Sequence, residues 1–327
     1  MSLFDLIRHN DNIFTASELW SPFPSYPTFG GHLVSLSLLS AILFANAKPS
    51  SVHTYFLSPG EVGTPMNFEV KMLREGRTSK MVNVKGYQSN RLVVTSDCLM
   101  CNRADDSVIH SDCVEIYDDE YVKISEHFTN LWRMCKTNNS ISEKKNPVKE
   151  SGKMQGGSSL SALDAMVRKM EENYGKLDKY FSLYIGRSNG IKRQFKIVFH
   201  DKNRNFSVLM SFVSDLFLCN SSLAWVKHGH KNGMCNSDSK CDVVQNKMMC
   251  KVDNPDSAID LDKVGKKSLD HKIYFHSNKS YDELIFVTKC QLLGEKKALF
   301  EGKLLSTEGT LVATVTQEGI ITIKNND

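Results

Sequence analysis

Several features that mark common protein classes are scarce or missing in this chain of 327 residues. Cysteine occurs nine times, an odd number in a chain too long to need a disulfide framework, so reduced thiols are expected. The N-terminal stretch MSLFDLIRHNDNIF lacks the apolar core and cleavage site of a secretory signal. The longest apolar stretch, LVSLSLLSAILFANA, is too short and too rich in serine to span a bilayer. These absences predict a soluble intracellular protein.

The chain also has little net charge and no nucleotide motif. A net charge of +4 does not by itself predict nucleic-acid binding. No stretch matches a phosphate-binding glycine loop, a dinucleotide fingerprint or the nucleophile elbow of serine hydrolases. Zinc is an alternative only in one polar stretch, where the spacings match no standard ligand pair; its candidates are His228, His230, Cys235, Cys241 and Cys250. We therefore expect no metal and no cofactor.

Two changes in composition divide the chain. Residues 136–165 are rich in lysine, asparagine, serine and glycine without apolar periodicity, which predicts a flexible linker. The linker separates an N-terminal domain, 1–135, from a C-terminal domain, 166–327. A second polar stretch at about 226–262 predicts an extended insertion within the C-terminal domain.

Each half contains the same order of elements. A helix that is apolar nearly all round is predicted in FGGHLVSLSLLSAILFANA and again in FSVLMSFVSDLFLCN. Four short runs rich in β-branched and aromatic residues follow each helix, separated by turn signals, which predicts an antiparallel meander. The predicted fold class is α+β, a double hotdog of two tandem units, each with a long helix packed on a curled antiparallel sheet.

Two polar side chains fall on apolar faces in this pattern. In the last strand, LVATVTQEGIITIK, alternation puts Gln317 on the face of Val315 and Ile321. On the second helix, Asp215 shares a face with Phe212. A buried polar pair is stable when its members satisfy each other or hold an ordered water, which predicts one shared pocket. The alternatives are a solvent-facing helix side for Asp215 and a backbone-paired amide at a bulge for Gln317.

Segments in both halves carry a resemblance in the same order along the chain: FGGHLVSLSLLSA, SSVHTYFLSPGE, LREGRTS, FVSDLFL, SLDH and QEG. Together they resemble the acyl-CoA thioesterase II family, which comprises bacterial and peroxisomal enzymes with the double-hotdog fold. The resemblance implies hydrolysis of acyl-CoA to a fatty acid and CoA. It also implies a catalytic network of Asp215, Ser268 of SLDH and Gln317 of QEG. Asp215 would act as general base on a water that the other two position.

Four more residues are candidates for substrate binding. Gly30 and Gly31 open the first helix, where they also predict close packing of the helix on the sheet; the sequence does not assign the donors for the oxyanion. Lys266 and Lys267 directly precede the serine of SLDH and could meet the phosphates of CoA. The motif SDxxFL of the family is shortened here to SDLFL, so we expect the helix end near the aspartate to be displaced.

The expected partner is acyl-CoA, with no nucleic acid and no membrane span, and the resemblance implies a homo-oligomer of double hotdogs, a dimer or a tetramer. It implies a peroxisomal location as well. The final residues, KNND, are not a Ser-Lys-Leu signal, which leaves the cytoplasm as the alternative. Two other functions stay open: an acyl-CoA-binding protein that does not hydrolyse its ligand, and a hydratase. A hydratase would need His271, which we interpret as structural.

Overall fold

The computed structural model describes residues 3–22, 26–101, 114, 116, 121–124, 168–169, 171–189, 192–216, 218–221, 264–294 and 296–323. The predicted linker at 136–165 and the predicted insertion at 226–262, with its zinc candidates, lie outside the described residues. The two domain boundaries at the linker therefore stay predictions.

The described residues form mostly strands. In chain order they are β1 (Ile7–Arg8), β2 (Ile13–Ala16), β3 (Lys48–Phe56), β4 (Met66–Glu75), β5 (Ser79–Gln88), β6 (Arg91–Cys101), β7 (Val122–Lys123), β8 (Phe181–Asn189), β9 (Lys192–Phe199), β10 (Val264–Ser268), β11 (Asp270–Phe275), β12 (Glu283–Leu293), β13 (Ala298–Ser306) and β14 (Leu311–Ile323). The helices include α1 (Gly30–Ala45), α2 (Phe206–Val213) and a 3-10 turn at Leu218–Ser221, and residues 171–175 are helical as well. The four predicted runs of each half are present as β3–β6 and β11–β14. Strands β4–β6 and β12–β14 form meanders, but β3 pairs with β6 and β11 pairs with β14, so the predicted four-stranded meanders are wrong in their first strand.

The two halves repeat one sheet topology. In the first half the strands lie in the order β2–β4–β5–β6–β3, and in the second half in the order β9–β12–β13–β14–β11. Along the chain, each helix lies between the two strands that end this spatial order: α1 between β2 and β3, and α2 between β9 and β11. The strand pairs of the described residues are antiparallel. The predicted tandem units are therefore present, although the strands before each helix, β2 and β9, were not predicted.

One continuous sheet joins the two units. Strand β3 of the first half pairs with β11 of the second, with His53 opposite Lys272. The two helices also meet: the ring of Phe212 on α2 lies 5.7 Å from that of His32 on α1. Both halves contribute to one buried apolar cluster. Because α1 packs between the sheet and α2, it is apolar on nearly all sides.

The outer face of the second unit carries a smaller cluster. Ile285, Val287 and Leu305 are buried there, and Leu311 and Tyr121 pack against them. Strand β7 belongs to this region, because it pairs with β8. The final part of the predicted first domain therefore contacts the second half of the chain.

Strand β14 confirms the alternation predicted for its central part. Val315, Gln317 and Ile321 are buried, on one face of the strand. The alternation fails at the start of the strand, where Leu311 packs on the outer cluster instead. A register shift between Leu304 and Leu305 on the partner strand accounts for this change of face.

Helix α2 is much shorter than predicted. It ends at Val213, whereas the apolar pattern predicted a helix over 206–220. The assignment of Asp215 to a helix face is therefore wrong, and the displacement of the helix end relative to the family stays a prediction. Within the described part of the chain, no helix is long and apolar enough to cross a membrane.

Candidate active site

Asp215 lies two residues beyond the end of α2. Ser214 closes the helix by donating its backbone N–H to the carbonyl oxygen of Met210 at 2.9 Å. The carboxylate of Asp215 is then buried against the other half of the molecule, where Oδ2 accepts the backbone N–H of Gly31 at 2.7 Å. This tertiary contact overrides the local preference of the segment to continue as a helix.

The contact with Asp215 caps helix α1. Phe29 occupies the N-cap position of α1, and its side chain makes no capping hydrogen bond. The first N–H groups of a helix need an acceptor, and the helix dipole favours negative charge at this end. Asp215 supplies both from the second half of the chain. The carboxylate is therefore held by one oxygen, while Oδ1 faces the interior of the site.

Gly30 and Gly31 are small because other atoms take the place of a side chain. A Cβ on Gly31 would lie 2.5 Å from the carbonyl oxygen of Phe212, and a Cβ on Gly30 would lie 2.8 Å from Oδ2 of Asp215. The glycines thus allow the start of α1 to approach the end of α2 and the carboxylate. Their predicted contact with substrate stays a prediction.

Ser268 and His271 face the same side of the sheet as Gln317 because their segment carries one extra residue. Between the regular pairings of β10 and β11 with β14, residues 269–271 lie opposite only 317–318. Such an unequal count is a β-bulge. In a regular strand, residues three apart point to opposite faces. The bulge therefore brings both side chains to the buried amide.

Asp270, the acid of SLDH, holds this bulge. Its Oδ1 accepts the backbone N–H of Glu318 at 2.6 Å. Its Oδ2 lies 2.8 Å from Nε2 of His53 on the neighbouring strand β3. Asp270 therefore ties the bulge both to β14 and to the strand of the first unit.

A chain of contacts connects the three predicted catalytic residues. Nε2 of Gln317 donates to Oγ of Ser268 at 2.5 Å. Oε1 of Gln317 lies 3.2 Å from Nδ1 of His271, and the same nitrogen lies 3.7 Å from Oδ1 of Asp215. Gln317 and His271 are buried, with 1% and 0% exposure. The predicted residues are thus brought together, and His271 lies between them.

The sequence did not predict that His271 lies between Asp215 and Gln317. Its Nε2 lies 2.9 Å from Oγ of Ser214. Burial lowers the pKa of His271, with the charge of Asp215 acting in the opposite direction, so the imidazole is neutral near pH 7. One pattern in the sequence could have indicated this buried position: alternation along the strand puts His271 on the same apolar face as Ile273 and Phe275.

The remaining candidates lie at the border of the cluster. Cys219 Sγ is 3.6 Å from Oγ of Ser268, and burial raises the pKa of this thiol to about 12, so it is a thiol and not a thiolate. Lys266 and Lys267 are exposed on β10, with Lys266 on the same side of the strand as Ser268. Their predicted role with CoA stays a prediction.

Solved structures share this architecture. An acyl-CoA thioesterase II, TesB2, from Mycobacterium marinum is 19% identical with a TM-score of 0.62, covering 99% of this chain and 98% of its own. A TesB protein from Mycobacterium avium subs paratuberculosis is 18% identical with a TM-score of 0.61, covering 98% and 96%. A conserved protein with a hot dog fold from Alicyclobacillus acidocaldarius is 13% identical with a TM-score of 0.62, covering 99% and 98%. The chain is a double-hotdog protein.

Family comparison then narrows this class. The acyl-CoA thioesterase N-terminal domain matches residues 19–100, and the acyl-CoA thioesterase C-terminal domain matches residues 208–321. The chain belongs to the acyl-CoA thioesterase family. A peroxisomal acyl-coenzyme A thioester hydrolase of Saccharomyces cerevisiae is 35% identical over 99 residues, which is 29% of this chain. The matched stretch spans 28% of the length of the yeast protein.

Proposed function

We propose that this protein hydrolyses acyl-CoA thioesters to a free fatty acid and CoA. The observation that carries the proposal is the cluster in which His271 connects Asp215 to Gln317, and Gln317 in turn donates to Ser268. Membership of the acyl-CoA thioesterase family over both halves supports the substrate class. A carboxylate and a primary amide, both buried at one junction, supply the proton acceptor and the hydrogen bonds that a hydrolytic water needs.

In the proposed reaction, a water attacks the thioester carbonyl carbon while Asp215 accepts its proton. The carbon–sulfur bond then breaks, the thiolate of CoA leaves, and the proton returns to that sulfur. Ser268 and Gln317 orient the water, and general-base assistance of this kind contributes typically ~10²–10⁴-fold. We assign to Gly31 the task of holding Asp215, since its N–H already donates to the carboxylate. That N–H is then not available to the oxyanion.

The direct test is the release of free CoA thiol from a panel of acyl-CoA chain lengths. The protein itself carries nine cysteines, so catalytic amounts of enzyme are used and CoA is also quantified by chromatography. We expect thiol release that depends on chain length and that is strongly reduced in Asp215→Asn. Formation of hydroxyacyl-CoA without thiol would indicate a hydratase. Binding without any product would indicate an acyl-CoA carrier, and either outcome would refute the proposal.

Three further properties belong to the same proposal. Because the yeast relative is named peroxisomal, we propose a peroxisomal location, which microscopy of a fluorescent fusion would test. We also propose a homo-oligomer, which light scattering of the purified protein would test. Lys266 and Lys267 are proposed to contact the phosphates of CoA. Their replacement with alanine should raise KM more than it lowers kcat.

A further inference from the structure

Both ring nitrogens of His271 contact neighbouring polar atoms. These contacts determine which nitrogen of the neutral imidazole carries the proton. Nδ1 faces two oxygens, Oε1 of Gln317 at 3.2 Å and Oδ1 of Asp215 at 3.7 Å. The carboxylate of Asp215 has no proton to donate, so its negative charge would repel a lone pair on Nδ1 whichever way the Gln317 amide points. The proton of a neutral imidazole is therefore favoured on Nδ1.

The other nitrogen then needs a donor, and Ser214 provides it. Oγ of Ser214 lies 2.9 Å from Nε2 of His271 and 3.0 Å from the carbonyl oxygen of Ser211. A serine hydroxyl has a single proton for these two acceptors. With Nδ1 protonated and the ring neutral, Nε2 is an acceptor, and the Ser214 proton serves it. Ser214 can thus supply a donor to Nε2 in the tautomer that the Asp215 carboxylate favours, by turning its proton from the carbonyl oxygen of Ser211 to Nε2.

This arrangement also determines which way the Gln317 amide points. An N–H on Nδ1 requires the oxygen end of the amide on its side, so the NH₂ end must face Ser268. Ser268 Oγ then accepts from Gln317 at 2.5 Å, and its own proton remains for a further acceptor. With the amide reversed, Ser268 would have to donate to Gln317 and would lose that proton to the amide oxygen.

We propose that His271 is a positioning residue that, together with Ser214, sets the orientation of the Gln317 amide and so leaves the Ser268 hydroxyl free to donate within the site. The inference rests on the proposed hydrolytic function and deepens it. His271 touches neither the water nor the thioester in this scheme and acts only through Gln317.

Two matched substitutions separate the two nitrogens of the ring. In His271→Asn the amide nitrogen can occupy the position of Nδ1 and keep a donor to Gln317. In His271→Gln the amide reaches the position of Nε2, which keeps the contact with Ser214 and loses the donor to Gln317. We expect His271→Gln to lower kcat by roughly 10- to 100-fold, since small misplacements of a positioning group cost this much. His271→Asn should be at least about tenfold more active than His271→Gln, at equal KM.

A double-mutant cycle tests whether His271 acts through the amide. If it does, adding His271→Gln to Gln317→Ala should lower kcat by less than about twofold, because the amide is already absent. Independent, multiplicative losses would overturn the proposal, and so would equal activities of the two His271 variants.

An NMR measurement tests the role of His271 separately from the proposed hydrolysis, because it does not depend on activity. The ¹⁵N shifts of the imidazoles in the full-length protein distinguish the two neutral tautomers, and His271 is assigned by the signal lost in whichever His271 variant folds. We expect the Nδ1–H tautomer in the wild-type protein and a weaker preference for it in Ser214→Ala, which lacks the donor to Nε2. The Nε2–H tautomer in the wild type would overturn the inference, whatever the activity. Absence of thiol release by a wild-type protein with the Nδ1–H tautomer would refute the proposed function alone.

Discussion

Replacing Asp215 with alanine and with asparagine separates the two tasks that its carboxylate performs. Oδ2 accepts the N–H of Gly31 and caps α1, while Oδ1 is the proposed proton acceptor. Alanine removes both functions. Asparagine keeps an oxygen that can accept from Gly31, but its amide cannot take a proton from water. The pair of variants therefore distinguishes stabilisation of the fold from the chemistry.

The expected loss of unfolding free energy follows from the burial of the Gly31 N–H, whose hydrogen bond Asp215 accepts. In Asp215→Ala the buried N–H of Gly31 loses its acceptor, which costs about 1–3 kcal/mol of unfolding free energy. In Asp215→Asn a charged acceptor becomes a neutral one, and the difference between the two kinds of hydrogen bond is about 1 kcal/mol. Both variants should lose at least ~10²-fold in kcat, the lower end of general-base contributions.

Urea unfolding followed by tryptophan fluorescence measures the first effect, because Trp20 is buried against Phe212. Thiol release at saturating acyl-CoA measures the second. Full activity of a folded Asp215→Asn protein would show that Asp215 is not the proton acceptor. An Asp215→Ala protein as stable as the wild type would show that the cap on α1 contributes nothing.

Three further predictions concern neighbouring residues. Gly31→Ala should lower the unfolding free energy by about 1–3 kcal/mol, because its Cβ would lie 2.5 Å from a backbone oxygen; Gly175→Ala, with no atom within 4 Å, is the control and should not destabilise in the same urea titration. Gln317→Leu should cost about 1–3 kcal/mol, since it leaves the buried Nδ1–H of His271 without its nearest acceptor; an unchanged urea midpoint would contradict that hydrogen bond. Burial lowers the pKa of His32 to about 4, so its neutral form stabilises the fold above pH 6.5, and about 3 kcal/mol should be lost as pH falls from 6.5 to 4. Urea titrations across this range should show a shallower pH dependence for His32→Gln, and parallel profiles would refute the assignment.

The structural reason for the His32 prediction is its hydrogen bonding. Nδ1 accepts the backbone N–H of Trp20 at 2.9 Å, and Nε2 lies 2.6 Å from the carbonyl oxygen of Leu3. Protonation of Nδ1 would therefore set two donors against each other in the core. His32 thus ties the N-terminal segment to α1 only in its neutral form.

The local sequence pattern was sufficient to predict most helices and strands and the buried position of Gln317 in the last strand. Alternation along β14 was sufficient to place Gln317 among buried apolar residues, since the period of a strand is a property of its own backbone. The apolar surroundings of α1 were likewise visible from its composition, because a helix buried on all sides needs apolar residues all round. The repeat of helix and meander followed from the same periodicities.

Only the tertiary structure decided how these elements meet. The end of α2 before Asp215 follows from a contact with Gly31, 184 residues away in the chain, which no window of local sequence contains. The extra residue at 269–271 is defined only against its partner, 317–318. From alternation alone, Gln317→Leu would be neutral, and the contact with His271 reverses that expectation. Periodicity reports which face a residue occupies, whereas the partner on that face depends on register and on the packing of distant segments.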